Sequence, residues 1–409
     1  MSRTDEHRPI RISDGKPRAD GGADEANVQH AGIGGVGQML TPNDLDEIKG
    51  PAGLSPSVVA PGLHSPTPRP DAGERRTPTY AALDLGTNNC RLLVARPTHH
   101  GPDSVGFRII DSFSRIVRLG EGVSQTGRLS ETAIRRTIEA LEICRDKMNA
   151  RGVTRARLIA TEACRMAENG AEFLAQVYEK LGLELEIVDR ETEAHLAAAG
   201  CVSLADAAAE GIVLFDIGGG SSELIWLDGA GRGASPALSE RIRFWVSLKL
   251  GVVTLAEKFG GIDVDDNIFE AMVDCVTSEL DGFIASAATL KRCANFHLLG
   301  TSGTVTTIGG IFLNLPRYER RRVDGLWMAD REIDETVSRL RLMSYNERVA
   351  NGCIGPERAD LVLAGCAILE AIRRAFPAKR VRIADRGLRE GMLLQLMNAD
   401  RALGRFGPR

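Results

Sequence analysis

From Thr79 onward, short apolar runs alternate with longer stretches whose apolar residues recur every three to four positions. The short runs are YAALDL, CRLLVAR, FRIIDSFSRIVRL, ARLIAT, LELEIVD, GIVLFDIG, SELIWLD, FHLLGT and KRVRIAD. Each is bounded by Gly, Asp or polar residues, which predicts β-strands. The longer stretches predict amphipathic helices. In SETAIRRTIEALEICRDKMNARG, Ser130 is the expected N-cap, with Ile134, Ile138, Leu141 and Cys144 on one face. The others are NGAEFLAQVYEKLG, RETEAHLAAAGCVSLA, DNIFEAMVDCVTSELDGFIASA, DREIDETVSRLRLMS and ERADLVLAGCAILEAIRRAF. Strands interleaved with helices predict an α/β fold, with a folded body over about 79 to 405.

Upstream the texture differs. The first 78 residues hold ten of the 17 prolines and no Phe, Trp or Tyr, so they bury too little apolar surface to offset ordering and are expected to form a disordered tail. The whole chain, 409 residues at 43% hydrophobic, 26% charged and a net charge of -4, has room for two cores and resembles neither a nucleic-acid nor a membrane binder. No uncharged apolar run reaches the roughly 18 residues that a membrane-spanning helix needs. The opening residues MSRTDEHRPIRISDG lack an apolar signal region, which sets the expectation of a cytoplasmic protein. Eight cysteines, Cys90 to Cys366, include no Cys-x-x-Cys pair, so reduced, mostly buried thiols are expected rather than disulfides or a zinc site.

Two strand–turn–strand units share one pattern. In AALDLGTNNCRLLV, Asp84, Gly86 and Leu92 match Asp216, Gly218 and Leu224 of VLFDIGGGSSELIW, all with an offset of 132 residues. Such a repeat predicts two related half-molecules. Small residues let a backbone come close to an anion, and consecutive amides with Ser, Thr or Asn side chains can surround a phosphate. A carboxylate at the preceding strand end repels that phosphate unless a cation lies between, and Mg²⁺ is the natural bridge, held by Asp84 and Asp216 with Glu223 joining through a water. Each unit taken singly is also an ordinary tight hairpin with Asp and Gly as turn residues. A third loop, LLGTSGTVTTIGG at 298 to 310, follows a strand and opens a helix, which suits either an anion or a plain strand-to-helix turn.

Two Asp–Gly hairpins and a later Gly-rich loop resemble the actin, sugar kinase and heat-shock chaperone ATPase superfamily (ASKHA, ribonuclease H-like). A finer resemblance is to the exopolyphosphatase and guanosine pentaphosphate phosphohydrolase family, Ppx/GppA. LDLGTNNCRLLVAR resembles its first phosphate motif, FDIGGGSSELIW its second and LGTSGTVTT its third. ATEACRMAENG resembles the segment with a phosphate-contacting arginine, here Arg165, and EIVDRETEAHLAAAG the segment with the catalytic glutamate, here Glu193. SLKLGVVTLAEKF and IADRGLREGML also fit. The resemblance departs where Thr192 replaces an accessory Glu and where Cys90 replaces a commoner aromatic, and the chain ends soon after LREGML, without the extra helical domains of longer members.

The resemblance implies two actin-like domains flanking a cleft: 79–198, completed by a C-terminal helix at 386–409, and 199–385, behind the 1–78 tail. It implies Glu193 and Arg165 as catalytic residues. Gly86, Thr87, Asn88, Asn89, Gly218, Gly219, Gly220, Ser221, Ser222, Gly303 and Thr304 would hold phosphate, and Asp84, Asp216 and Glu223 a Mg²⁺ ion. The implied reaction is release of the terminal phosphate of inorganic polyphosphate, with removal of the 5'-phosphate of guanosine pentaphosphate, an alarmone of the stringent response, as the close alternative. Guanosine penta- and tetraphosphate are implied ligands, and homodimers are common in the family. A sugar- or acetate-type kinase and a non-enzymatic polyphosphate or alarmone sensor remain as other classes.

From the residues alone, Glu193 also fits a helix-start carboxylate, Arg165 a surface partner of Glu162 or Glu168, and His195 a helix-surface residue. The run RYERRR, 317 to 322, reads as a solvated loop or as a track for a polyanion through Arg320, Arg321 and Arg322.

Overall fold

The computed structural model describes residues 77–98, 106–229, 238–288, 295–400 and 402–403. The expected tail up to residue 76 and positions 404–409 of the expected last helix lie outside the described residues.

Among the described residues the first sheet has the order β3-β2-β1-β4-β5. Its strands are β1 (Tyr80–Leu85), β2 (Asn89–Pro97), β3 (Phe107–Ile116), β4 (Arg155–Ala160) and β5 (Glu186–Ile187). The helices between them are α1 (Val123–Thr126), α2 (Glu131–Ala150), α3 (Glu162–Met166) and α4 (Gly170–Leu181), and α5 (Arg190–Cys201) follows. The next stretch contains β6 (Gly211–Ile217), β7 (Ser222–Asp228), α6 (Leu238–Arg241), β8 (Ile242–Leu248), α7 (Val252–Phe259) and α8 (Asp266–Ala287). It continues through β9 (Phe296–Thr301), α9 (Gly303–Phe312), α10 (Arg320–Val323), β10 (Trp327–Ala329), α11 (Asp330–Leu342), α12 (Tyr345–Ala350), α13 (Val362–Ala375), β11 (Arg380–Ala384) and α14 (Leu388–Ala399). The second sheet runs β10-β11-β9-β6-β7-β8.

The repeat seen in the sequence is a repeat of topology. β1-β2-β3 and β6-β7-β8 are antiparallel meanders, and in each sheet the first strand pairs in parallel with the next one along, β4 or β9. Each sheet covers its apolar faces with helices, as a sheet of this kind must. One core lies between the first sheet and α2 and α4, and a larger one between the second sheet and α8, α9, α11 and α13.

Helix α5 joins the two halves. Asp189 caps it, its Oδ1 accepting from the Thr192 amide at 2.7 Å, a bond typically contributing about 1 kcal/mol. Leu196 packs with α14 against the first sheet, whereas Ala194, Ala198 and Cys201 pack against the second. α14 lies along α5 so closely that a methyl on Gly200 would stand 1.9 Å from the Gly387 carbonyl oxygen, and one on Gly391 2.0 Å from that of Leu196.

Ser130 caps α2 as expected, its Oγ accepting from Ala133 at 3.2 Å, and Ile134, Leu141 and Cys144 are buried. Other boundaries differ from the pattern. LELEIVD yields only the two-residue β5, exposed at a sheet edge and paired with the last residues of β4. ERADL forms turns, so α13 begins at Val362. β8 was not among the expected strands, although Ile242, Phe244, Val246 and Leu248 alternate with Arg243, Trp245 and Ser247; Ser247 is buried and donates to Glu223.

Candidate active site

The two hairpins close identically. The Gly86 amide donates to the Asn89 carbonyl and the Gly218 amide to the Ser221 carbonyl, each at 2.9 Å. Both units are hairpins, as one reading had them, but without the positive-φ glycine that reading expected, and their location decides what else they are. They meet tip to tip: a methyl on Gly219 would lie 3.0 Å from Thr87 Cβ and 3.1 Å from the Asn88 amide nitrogen, and one on Gly220 2.6 Å from Thr87 Oγ1. Glycine is required in the second turn because the first turn occupies the space of a side chain.

Both turns line one cavity of about 480 Å³. Asp84, Gly86, Thr87, Asn88 and Asn89 come from the first hairpin, Asp216 through Ser221 with Glu223 from the second, and Gly303 and Thr304 from the third loop; Glu193 lines the same space. Two members of the expected set do not. Ser222 is buried in β7 and donates to the Leu250 carbonyl at 2.7 Å. Arg165 stands behind the wall, its Nη2 3.0 Å from Glu193 Oε2 and its Nε 2.9 Å from Glu162 Oε2. It pairs with Glu162, but as a half-buried clamp rather than a surface cation. His195 bonds the Glu191 carbonyl at 2.8 Å, within its own helix.

Strand register explains the carboxylates. Asp84 stands opposite Arg91 across the first hairpin, and Asp216 opposite Glu223 across the second. Burial raises the Asp84 carboxyl, opposed by Arg91 and Arg389, and raises Asp216 to about 6. Burial, then Asp216, lifts Glu223 to about 7, against hydrogen bonds from Ser221 and Ser247 to its Oε1, each 2.8 Å. Glu193 is pushed well above the usual carboxylate range by burial, then by Glu223, with Arg165 opposing. Low-dielectric surroundings disfavour each charge.

Several contributors escaped the sequence pattern. Among the described residues, Arg91, Arg358 and Arg389 line the cavity and form no ion pair, and burial lowers Arg358 and Arg389. Arg91 was readable as a cation facing Asp84 in a hairpin; Arg389 lies in the matching segment IADRGLREGML, which carried no role for it, and Arg358 comes from a loop with no local signal. Buried side-chain oxygens of Asn88, Asn89 and Ser302 have no partner among the described residues. Ser302 also has φ 106, a left-handed conformation costly for a residue with a Cβ, at the entrance to α9. Unpaired guanidiniums around one cavity mark an anion site, while the two amide oxygens, which can only accept, suit a water or a cation there. The run RYERRR divides: Arg320 lines the cavity, bonded to Glu390 at 2.7 Å and to the Asp385 carbonyl, whereas Arg321 and Arg322 face solvent.

The same lining holds seven carboxylates against five guanidiniums, so a bound polyanion calls for an added cation. Among the described residues no group of three or more His, Cys, Asp or Glu gathers as a metal cage. Mg²⁺ needs none, since it takes one or two carboxylates and fills its shell with water and phosphate oxygens. The facing Asp84 and Asp216 fit that donor set. A second cavity of about 370 Å³ shares Thr87, Glu162 and Gly220 with the first and reaches α1 and α7.

Two topologically repeated α/β halves with paired Asp–Gly hairpins at one cavity define an actin-like phosphate-handling protein. The chain belongs to the Ppx/GppA phosphatase family, whose model matches residues 93–400, and it is by that membership a phosphoanhydride hydrolase. It is 26% identical over 325 residues to exopolyphosphatase 2 of Mycobacterium tuberculosis, covering 77% of this chain and 98% of that one. A bifunctional 3-dehydroquinate synthase/phosphatase of Fusobacterium nucleatum is 26% identical over 320 residues, and this chain spans 46% of its length. The crystal structure of the Aquifex aeolicus family member superposes with a TM-score of 0.62 at 26% identity, covering 79% of this chain and 98% of that one. No helix among the described residues is long and apolar enough to cross a membrane.

Proposed function

We propose that the protein is an exopolyphosphatase that hydrolyses the terminal phosphoanhydride of inorganic polyphosphate and releases orthophosphate. What carries this is the meeting in one cavity of two anion-ready turns, three arginines with no ion pair among the described residues, and the carboxylate of Glu193. A linear polyanion satisfies such a lining along its length. The lining has two ring side chains, Phe113 and Tyr318, against seven carboxylates and five guanidiniums, so charge dominates its surface over base stacking. That favours polyphosphate over guanosine pentaphosphate.

The backbone amides of the two turns would hold the terminal phosphoryl group, with Arg91, Arg358 and Arg389 offsetting charge on its oxygens. Arg165 fixes one oxygen of Glu193, Oε2, while the other accepts no hydrogen bond from the described residues and is free for a water. A carboxylate made more basic by burial is suited to orient that water and take its proton. Mg²⁺ on Asp84 and Asp216 would, when bound, neutralise charge developing on phosphoryl oxygens. Glu162, 3% exposed and bonded to both Arg165 and Arg190, holds the Arg165 clamp in place.

The test is phosphate release from polyphosphate and from guanosine pentaphosphate, each with Mg²⁺ and with excess chelator. Release from polyphosphate that chelator abolishes and that Glu193→Gln lowers by about 10²- to 10⁴-fold is the expected result. Faster release from guanosine pentaphosphate would move the assignment to that substrate; release that survives Glu193→Gln would remove the role of Glu193.

A further inference from the structure

Beyond β3 the chain doubles back as a strap over residues 117–124. The Val117 and Arg118 amides both donate to the Asn88 carbonyl, at 2.9 and 3.0 Å, and the Gly120 amide donates to the Thr87 carbonyl at 2.9 Å. Three backbone bonds thus brace the first phosphate turn. Arg118 holds φ 46, a conformation that residues with a Cβ adopt only where the surroundings impose it.

Both ends of the strap reach the other half of the molecule. Arg118 Nη2 donates to Asp360 Oδ1 at 2.9 Å and to the Glu357 carbonyl at 3.2 Å. These acceptors flank Arg358, an unpaired cation of the cavity. At the other end the Gly122 amide donates to Glu257 Oε1 at 2.8 Å and the Ser124 hydroxyl donates to Glu257 Oε2. Glu257 lies on α7, whose Val252 and Val253 amides donate to the Gly218 and Gly219 carbonyls at 3.0 and 2.8 Å. The strap is therefore bonded directly to the first turn, through α7 to the second, and through Arg118 to the loop carrying Arg358.

We propose that Arg118 and Glu257 are positioning residues that hold the two phosphate turns in register across the seam between the halves. Neither lines the main cavity. Each acts through backbone that does: Arg118 through Asn88, Glu257 through Gly218 and Gly219. With both contacts made, the turns touch and the clamp is preformed. With one broken, substrate must itself bring the turns together, so its apparent affinity falls by the fraction of molecules already closed, while turnover of the bound state is unchanged.

The activity arm of the test rests on the hydrolytic reading above. Arg118→Asp and Asp360→Arg should each raise KM for polyphosphate by about tenfold and leave kcat within about twofold, the pattern of a lost preformed state. Asp tolerates positive φ, so Arg118→Asp does not strain the strap further. The charge-exchanged pair Arg118→Asp with Asp360→Arg should recover most of the loss, which a local packing role of either residue would not allow. Glu257→Ala should raise KM in the same way.

A second arm needs no turnover. In substrate-free protein each single variant should speed hydrogen exchange at the amides of 86–89 and 117–124, and the exchanged pair should slow it again. No recovery in the exchanged pair, a fall in kcat with KM unchanged, or exchange at the first turn equal to that of the unaltered chain would overturn the proposal. If the unaltered chain released no phosphate from any substrate, the hydrolytic reading would fall, and the exchange arm would still decide for or against the strap.

Discussion

Asp216 illustrates how the site stores unfavourable charge. Burial raises its carboxyl from 3.8 to about 6, with Arg91 opposing and Asp84 adding to the rise. A folded-state pKa above the unfolded one means that the native protein holds the proton more tightly. The associated stability is complete below about pH 3.8 and is lost as pH rises through about 6. Asp216→Asn, which stays neutral, should therefore gain melting temperature relative to the unaltered chain between pH 4 and pH 7 when both are melted in chelator. A gap that does not widen over that range would show that the aspartate is not penalised. The same residue was visible in the sequence as a repeat partner of Asp84, but its neighbour Arg389 was not. Register places Arg91 opposite Asp84 within one hairpin, whereas Arg389 arrives 298 residues after Arg91 in the chain, on the first turn of α14.

At the scale of elements, α5 and α14 determine whether the site exists. α5 carries Glu193 on its first turn, and α14 carries Arg389 and Glu390 on its own. The two helices touch backbone to backbone at Gly391 and Leu196. Gly391→Ala forces a methyl into a space where the nearest carbonyl oxygen is 2.0 Å away, so the helices must part. Overpacking of this kind typically costs about 1–3 kcal/mol, and here it also shifts Glu193 relative to the turns. Urea unfolding should report the lost stability and phosphate release the lost activity; a variant equal to the unaltered chain in both would mean that the pair has slack. The helical periodicity of RETEAHLAAAGCVSLA announced α5, whereas its N-cap, Asp189, came from the structure. The glycine contacts between α5 and α14 have no period, because they serve a neighbour distant in sequence.

For the whole molecule, two halves around one cavity imply that ligand binding stabilises the fold. A ligand that binds only the native state adds about 2.7 kcal/mol when present at a hundred times its dissociation constant. Glu193→Gln with polyphosphate and Mg²⁺ should therefore melt several degrees higher than without them, and chelator should remove most of the gain. No shift in any combination would mean that the cavity does not hold the polyanion. The α/β class, the two-fold repeat and the Asp–Gly hairpins were legible in the sequence because each is local: strand alternation, a turn of small residues, a fixed offset of 132. Glu193 and the two turns were also nameable, since motif segments carry them. Tertiary structure alone decided that the turns touch, that Arg165 lies behind Glu193 rather than in the cavity, and that the Ser222 hydroxyl is taken by the Leu250 carbonyl. It alone brought Arg358, Arg389 and the strap at Arg118 to the same place. Local pattern sets how a segment folds because neighbouring residues share backbone hydrogen bonds, whereas a charged site is assembled from segments whose only common cause is the packing of two sheets and the helices between them.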